Sequence, residues 1–108
     1  MDIQAYIKKM NDFQSQGLNK YQFQNEEDIV LIISGLRGLR QFETAIQLYQ
    51  KYEDQLKQSD IFPVALTNII EVCNDSKKTD LLVKHTKELK SIYPDHPYVI
   101  EISKFHSI

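Results

Sequence analysis

Apolar side chains recur along most of this chain at spacings of three and four, the period that gathers them on one face of a helix. Ile3, Tyr6, Ile7, Met10 and Phe13 make the first such stripe and predict a helix over 2–16. Asp2 is placed to cap its start and Gly17 to end it in a left-handed conformation. Residues 17–25 read as a connector whose Leu18, Tyr21 and Phe23 should fold back onto the body. Asn25-Glu26-Glu27-Asp28 is a helix start: Asn25 can accept from an orphan backbone N–H, and three acidic residues sit at the positive end of the dipole. Ile29, Ile32, Ile33 and Leu36 continue that helix, and Arg37 and Arg40 suit its negative end. After a break near Arg40-Gln41, a helix over 42–57 should bury Phe42, Ala45, Ile46, Leu48, Tyr49, Tyr52 and Leu56.

Asp60-Ile61-Phe62-Pro63 opens the next unit, because proline is tolerated in a first helical turn. Its stripe is Leu66, Ile69, Ile70 and Cys73, and Asn74-Asp75-Ser76 ends it with turn-forming residues. A helix over 78–92 follows, with Leu81, Leu82, Val83, Leu89 and Ile92, and Tyr93-Pro94 stops it. Asp95, as cap, and Pro97 open a last helix, 96–106, carrying Tyr98, Val99, Ile102 and Phe105. The expected fold is all-α, with about six helices.

The two middle hairpins repeat at an offset of 37. Ile29 falls on Leu66, Ile32 on Ile69, Ile33 on Ile70, Leu36 on Cys73, Ala45 on Leu82, Ile46 on Val83 and Tyr52 on Leu89. Phe42 and Tyr49 fall on Thr79 and Thr86 and do not match. Phe42-Glu43-Thr44-Ala45-Ile46, with its small residue at Ala45, and Pro94 at the end of the second unit make the chain resemble the tetratricopeptide repeat family. One unit is 26–59 and the next 63–96, with Asp60–Phe62 inserted between them. Ile29 and Leu66 stand at the family's Trp position. Ile33 and Ile70 stand at its small position, Leu82 at its second Ala and Lys57 where proline is usual. The resemblance implies antiparallel hairpins stacked as a short right-handed α-α superhelix, with 2–16 and 96–106 as caps or the chain self-associating as a homo-oligomer.

Composition narrows the function classes. A chain of 108 residues makes one domain, and three Gly and three Pro supply too little turn chemistry for many hairpin-linked strands. Thirteen basic against fifteen acidic residues give a net charge of −2, without the electrostatic footprint of a nucleic-acid binder. The one cysteine, Cys73, precludes an internal disulfide and fits a reducing cytoplasm. Met1-Asp2-Ile3-Gln4 has neither a basic nor an apolar leader region, so no signal peptide is expected and a cytoplasmic location is. The longest apolar run, Ile29 to Ile33, is far short of the ~20 residues a bilayer requires.

Candidate chemistry is sparse. Cys73 lies on an apolar stripe and reads as a core thiol. None of His85, His96 and His106 has a second His four residues away, and none is read as having a Cys or carboxylate at ligand spacing, so no metal or cofactor is expected. Gly35-Leu36-Arg37-Gly38 has the spacing of an RNA-clamping loop but lies in a helical turn, where close helix packing is the better reading. Lys84, Lys87 and Lys90 form the one basic stripe. No enzyme is expected. Stacked helix pairs leave a groove suited to peptides and helices. The resemblance implies that the first helix of each pair lines it, which selects Glu27, Val30, Leu31, Ser34, Arg37, Thr67, Asn68 and Glu71 as partner-binding residues. Val30 and Thr67 stand where carboxylate-gripping members carry Lys, and Ser34 and Glu71 where they carry Asn, so carboxylate capture is not expected. The expected function is a dedicated protein-binding module, of the kind represented by bacterial immunity proteins and chaperones that mask a toxin or effector. The alternative is a nucleic-acid-associated regulator working through the Lys84 stripe.

Overall fold

Helices form where the stripes place them. The computed structural model describes residues 2–108, and these form six helices: α1 (Ile3–Gln16), α2 (Glu26–Gly38), α3 (Phe42–Lys57), α4 (Phe62–Asp75), α5 (Thr79–Ile92) and α6 (Pro97–Ser103). No strand occurs among the described residues, and none of their helices is long and apolar enough to cross a membrane. Successive helices α2 to α5 pack on one another, α4 also packs on α2, and α1 and α6 close the two ends against α2 and α5.

Asp2 caps α1 by accepting from Gln4 N–H at 3.1 Å, and Gly17, at φ 84°, donates to the Phe13 carbonyl. The α1 stripe is narrower than the sequence implies. Met10 and Phe13 are buried and Tyr6 packs against them, whereas Ile3 and Ile7 face solvent. As an end helix, α1 packs on α2 and on the connector, and among the described residues Ile3 and Ile7 stay exposed on its far side. Gly35 is where α1 comes closest: a Cβ there would lie 2.7 Å from Tyr6 Oη, and Met10 would also have to move. The connector packs back as expected, through an edge-on aromatic chain from Phe13 to Tyr21 (5.7 Å), Tyr21 to Phe23 (4.8 Å) and Phe23 to Tyr52 of α3 (5.2 Å).

The turns α2–α3 and α4–α5 have the same bonds at an offset of 37. Gln41 N–H donates to Leu36 O (2.8 Å) and Lys78 N–H to Cys73 O (2.9 Å). Arg40 and Lys77, at φ 59° and 58°, supply the one left-handed residue each turn needs. Most of the matched apolar pairs are buried, with only Tyr52 and Val83 left partly exposed. Tyr49 and Thr86, which do not match in type, are nonetheless both completely buried. Thr86 satisfies its hydroxyl locally by donating to Leu82 O at 2.6 Å. A fully buried Leu or Ile contributes about 1.5–3 kcal/mol, so the core of the two hairpins carries the fold.

Two expectations at the C-terminus change. The cap of α6 is His96, whose Nδ1 accepts from Tyr98 N–H at 3.0 Å, in place of Asp95. The helix ends at Ser103, three residues early, where Lys104 and Phe105 N–H turn to the carbonyls three residues back. Phe105 is exposed, so no burial holds a further turn in place.

Cys73 is fully buried, and burial pushes its thiol up to about 11 from 9.0. The unfolded chain therefore releases this proton first. The thiol's contribution to stability is complete well below pH 9, and up to about 2–3 kcal/mol of it is lost as pH climbs to 11. Denaturant titrations at pH 8 and 10.5 should show the loss, and Cys73→Ala should remove the thiol's share of it.

Candidate partner-binding face and a buried polar cluster

The side of α2 and α4 turned away from the core carries a shallow furrow of about 320 Å³. Glu27, Val30, Leu31 and Ser34 line it from α2, and Ile61, Val64 and Asn68 from the start of α4. Its floor is apolar: Val64 is 52% exposed, Leu31 and Ile61 are half-buried, and Val30 lies beneath them. At the end where α2 begins, the furrow continues into a more polar hollow of Asn25, Glu26, Gln58, Ser59 and Asp60, sharing Glu27 and Ile61 with it.

Five of the eight residues selected from sequence, Glu27, Val30, Leu31, Ser34 and Asn68, therefore share one furrow. Ile61 and Val64 were not selected. Val64 is signalled by being apolar yet out of phase with Leu66, Ile69 and Ile70. Thr67 is half-buried and does not line the furrow; its hydroxyl donates to Val64 O at 2.8 Å. Asn68 likewise spends its Nδ2 on the same carbonyl, at 2.9 Å.

Arg37 and Glu71 belong to a second hollow, of about 370 Å³, bordered by Asp75, Tyr98, Ile102 and Phe105. Arg37 donates through Nη1 to Glu71 Oε2 (2.5 Å) and through Nε to Asp75 Oδ2 (2.6 Å). Tyr98 Oη donates to the other Glu71 oxygen at 2.6 Å, which with burial holds the Tyr98 proton more firmly than usual. Arg37 thus ties α2 to α4, and Glu71 passes the tie to α6. This network consumes the donors and acceptors that a partner would otherwise use.

The basic stripe is exposed along α5, where Lys84, Lys87 and Lys90 all face solvent and Lys90 reaches Ile108 O at 2.9 Å. Nearby Lys78 is paired with Glu43 at 2.9 Å.

A polar cluster lies between α3 and α5. His85, 2% exposed, has its Nδ1 2.7 Å from Glu88 Oε1. Glu88 stands three residues on, one helical turn away, so His85 does have a carboxylate at helical spacing, contrary to the sequence expectation. Glu53 completes the group from α3, and its ligand oxygen lies within 4.8 Å of the other two ligand atoms. Tyr49, one turn before Glu53 and fully buried, stands edge-on to His85 with centroids 5.1 Å apart. Tyr49 Oη and Glu53 Oε2 are both buried without a hydrogen-bond partner among the described residues. Burial first, then the negative charges of Glu88 and Glu53, drive the Tyr49 proton affinity far above the ordinary tyrosine range. The His-x-x-Glu spacing was visible in the sequence, but Glu53 and Tyr49 join it only because the fold brings side chains of α3 against those of α5.

Compared with models of protein families, with curated proteins and with solved structures, the chain matches none of them.

Proposed function

We propose that this chain is a protein-binding module of the tetratricopeptide-repeat-like kind, its hairpins stacked as a short α-α superhelix and its α2–α4 face serving as the docking surface. The observation that supports this reading best is the furrow itself: an apolar floor at Val30, Leu31, Ile61 and Val64 opening into an acidic end at Glu26, Glu27 and Asp60. An amphipathic helix or extended segment would bury its apolar side chains on that floor. The acidic end favours a partner whose segment is basic. A dedicated partner, as for an immunity protein or a chaperone that masks a toxin or effector, fits a free-standing domain of this size acting in the cytoplasm. The nucleic-acid alternative rests on Lys84, Lys87 and Lys90 alone, and the acidic α2 end and net charge of −2 count against it.

Two variants test the reading together. Leu31→Asp with Val64→Asp alters the exposed floor while leaving the core intact. It should weaken the partner captured by the unaltered chain at least about thirtyfold, the effect of losing a binding hot spot of about 2 kcal/mol. Lys84→Glu, Lys87→Glu and Lys90→Glu together should leave that partner bound. The opposite pattern, with a gel shift that weakens steeply as salt rises, would transfer the function to the basic stripe.

A further inference from the structure

We propose that Glu53, His85 and Glu88 form a binding site for one divalent transition-metal ion, with zinc the best fit. The three ligand atoms, an imidazole nitrogen and two carboxylate oxygens, lie within 4.8 Å of one another and come from two helices, α3 and α5, whose side chains meet here. One imidazole and two carboxylates make a mixed N/O set that suits zinc, and zinc stands near the top of the affinity order for such sites. Ligand atoms about 2.1 Å from a tetrahedral ion sit about 3.4 Å apart, so a small side-chain rotation closes the set. The ion takes the place of the hydrogen bond between His85 Nδ1 and Glu88 Oε1.

A second, independent observation points to a ligand here. Tyr49 is fully buried, stands against His85, and its hydroxyl has no hydrogen-bond partner among the described residues; the same holds for the buried Glu53 Oε2 of the cluster. A buried unpaired polar atom costs about 1–3 kcal/mol, and two in one cluster mark a site whose bonding is incomplete in the chain alone. With the ion bound, Glu53 is drawn into coordination, and Tyr49 donates to its carboxylate and steadies it. Access is through Glu88, which is 25% exposed. Lys57, whose Nζ lies 3.7 Å from Glu88 Oε2, guards that approach and opposes a cation by charge. The site lies between α3 and α5, apart from the α2–α4 furrow, and does not depend on the docking role.

The test uses the full chain, stripped of metal by a chelator, titrated with Zn²⁺ by calorimetry and with Co²⁺ by visible spectroscopy. The expected result is one ion per chain, intense visible Co²⁺ bands of low coordination number, and a melting temperature raised by about 10 °C or more at free zinc a hundred times the Kd. His85→Asn and Glu53→Gln should each weaken binding at least tenfold, and Lys57→Gln should tighten it severalfold. Tyr49→Phe should stabilise the metal-free chain yet weaken zinc binding, a split that a purely structural tyrosine would not give. A His96→Asn, His106→Asn double variant should bind as the unaltered chain does. The proposal is overturned if the unaltered chain shows no saturable uptake of either ion, a result independent of how any variant folds. It is equally overturned if binding follows His96 and His106 rather than His85.

Discussion

Leu36→Ala should lower the unfolding free energy by about 3–4 kcal/mol and the melting temperature by about 15–20 °C. Leu36 is completely buried in the last turn of α2, and its carbonyl accepts the Gln41 N–H that closes the α2–α3 turn. The surrounding helices are held by their own turns, so they cannot collapse fully into the space left behind, and the lost transfer energy is joined by a cavity cost. Cys73 occupies the equivalent place in the second hairpin, with the same carbonyl bond to Lys78. Cys73→Ala deletes only a sulfur and should cost about 1 kcal/mol near pH 7, in proportion to the smaller group removed. Urea titrations of both variants, with the slope unchanged, would measure the pair. Losses of equal size would mean that the two positions are not equivalent in packing.

Lys9→Met should cost about 2–3 kcal/mol, more than its place on an exposed end helix suggests. Lys9 Nζ donates to Asp28 Oδ1 at 2.6 Å, and the Asp28 side chain is only 3% exposed against 22% for Lys9. Asp28 is bound into the start of α2 as well: its N–H donates to Asn25 Oδ1 (2.9 Å), and its Oδ2 accepts from Gln24 N–H (3.3 Å). Methionine fills the space of the lysine stem but leaves a buried carboxylate facing apolar atoms, and an uncompensated buried charge is costly. Asp28→Ala, by contrast, frees Lys9 to swing into water and loses the N-terminal bonds instead. The double variant Lys9→Met, Asp28→Ala should therefore be less destabilised than the sum of the two singles. Full additivity would show that the pair is not energetically coupled. The exposed pair Lys8–Asp12, 2.9 Å apart on α1, provides the control, and Lys8→Met should change stability by less than about 0.5 kcal/mol.

The parts of this fold that local chemistry determines were legible in the chain. Helix starts at Asp2 and Asn25, the stop at Gly17 and the break after Arg40 follow from capping and from φ preferences that act within a few residues. The periodic stripes placed the core because α2 to α5 each meet neighbours on their apolar side. Periodicity misled at the two ends, where Ile3, Ile7 and Phe105 are in phase but have no neighbour to bury them. His96 displaced Asp95 as the cap because an imidazole nitrogen can accept as a carboxylate does, a choice that composition does not reveal. Among the candidate site residues, those on α2 were selected because the resemblance implies that the first helix of each pair lines the groove, and Glu27, Val30, Leu31 and Ser34 do line the furrow. Arg37 and Glu71 were selected on the same ground, but their charges meet across the interface between α2 and α4 and close on each other. Glu53 and His85 are 32 positions apart, and only the tertiary fold brings their side chains together.

The matched turns at Arg40 and Lys77 bear on how such a chain can grow. Each joint is closed by the same carbonyl bond and one left-handed residue, so it depends on nothing outside the few residues flanking it. A gene duplication that copied the 37-residue stretch from one joint to the other would reproduce its own splice geometry. Each added copy would bring its own closing carbonyl bond and left-handed residue, so the joints themselves set no limit on copy number.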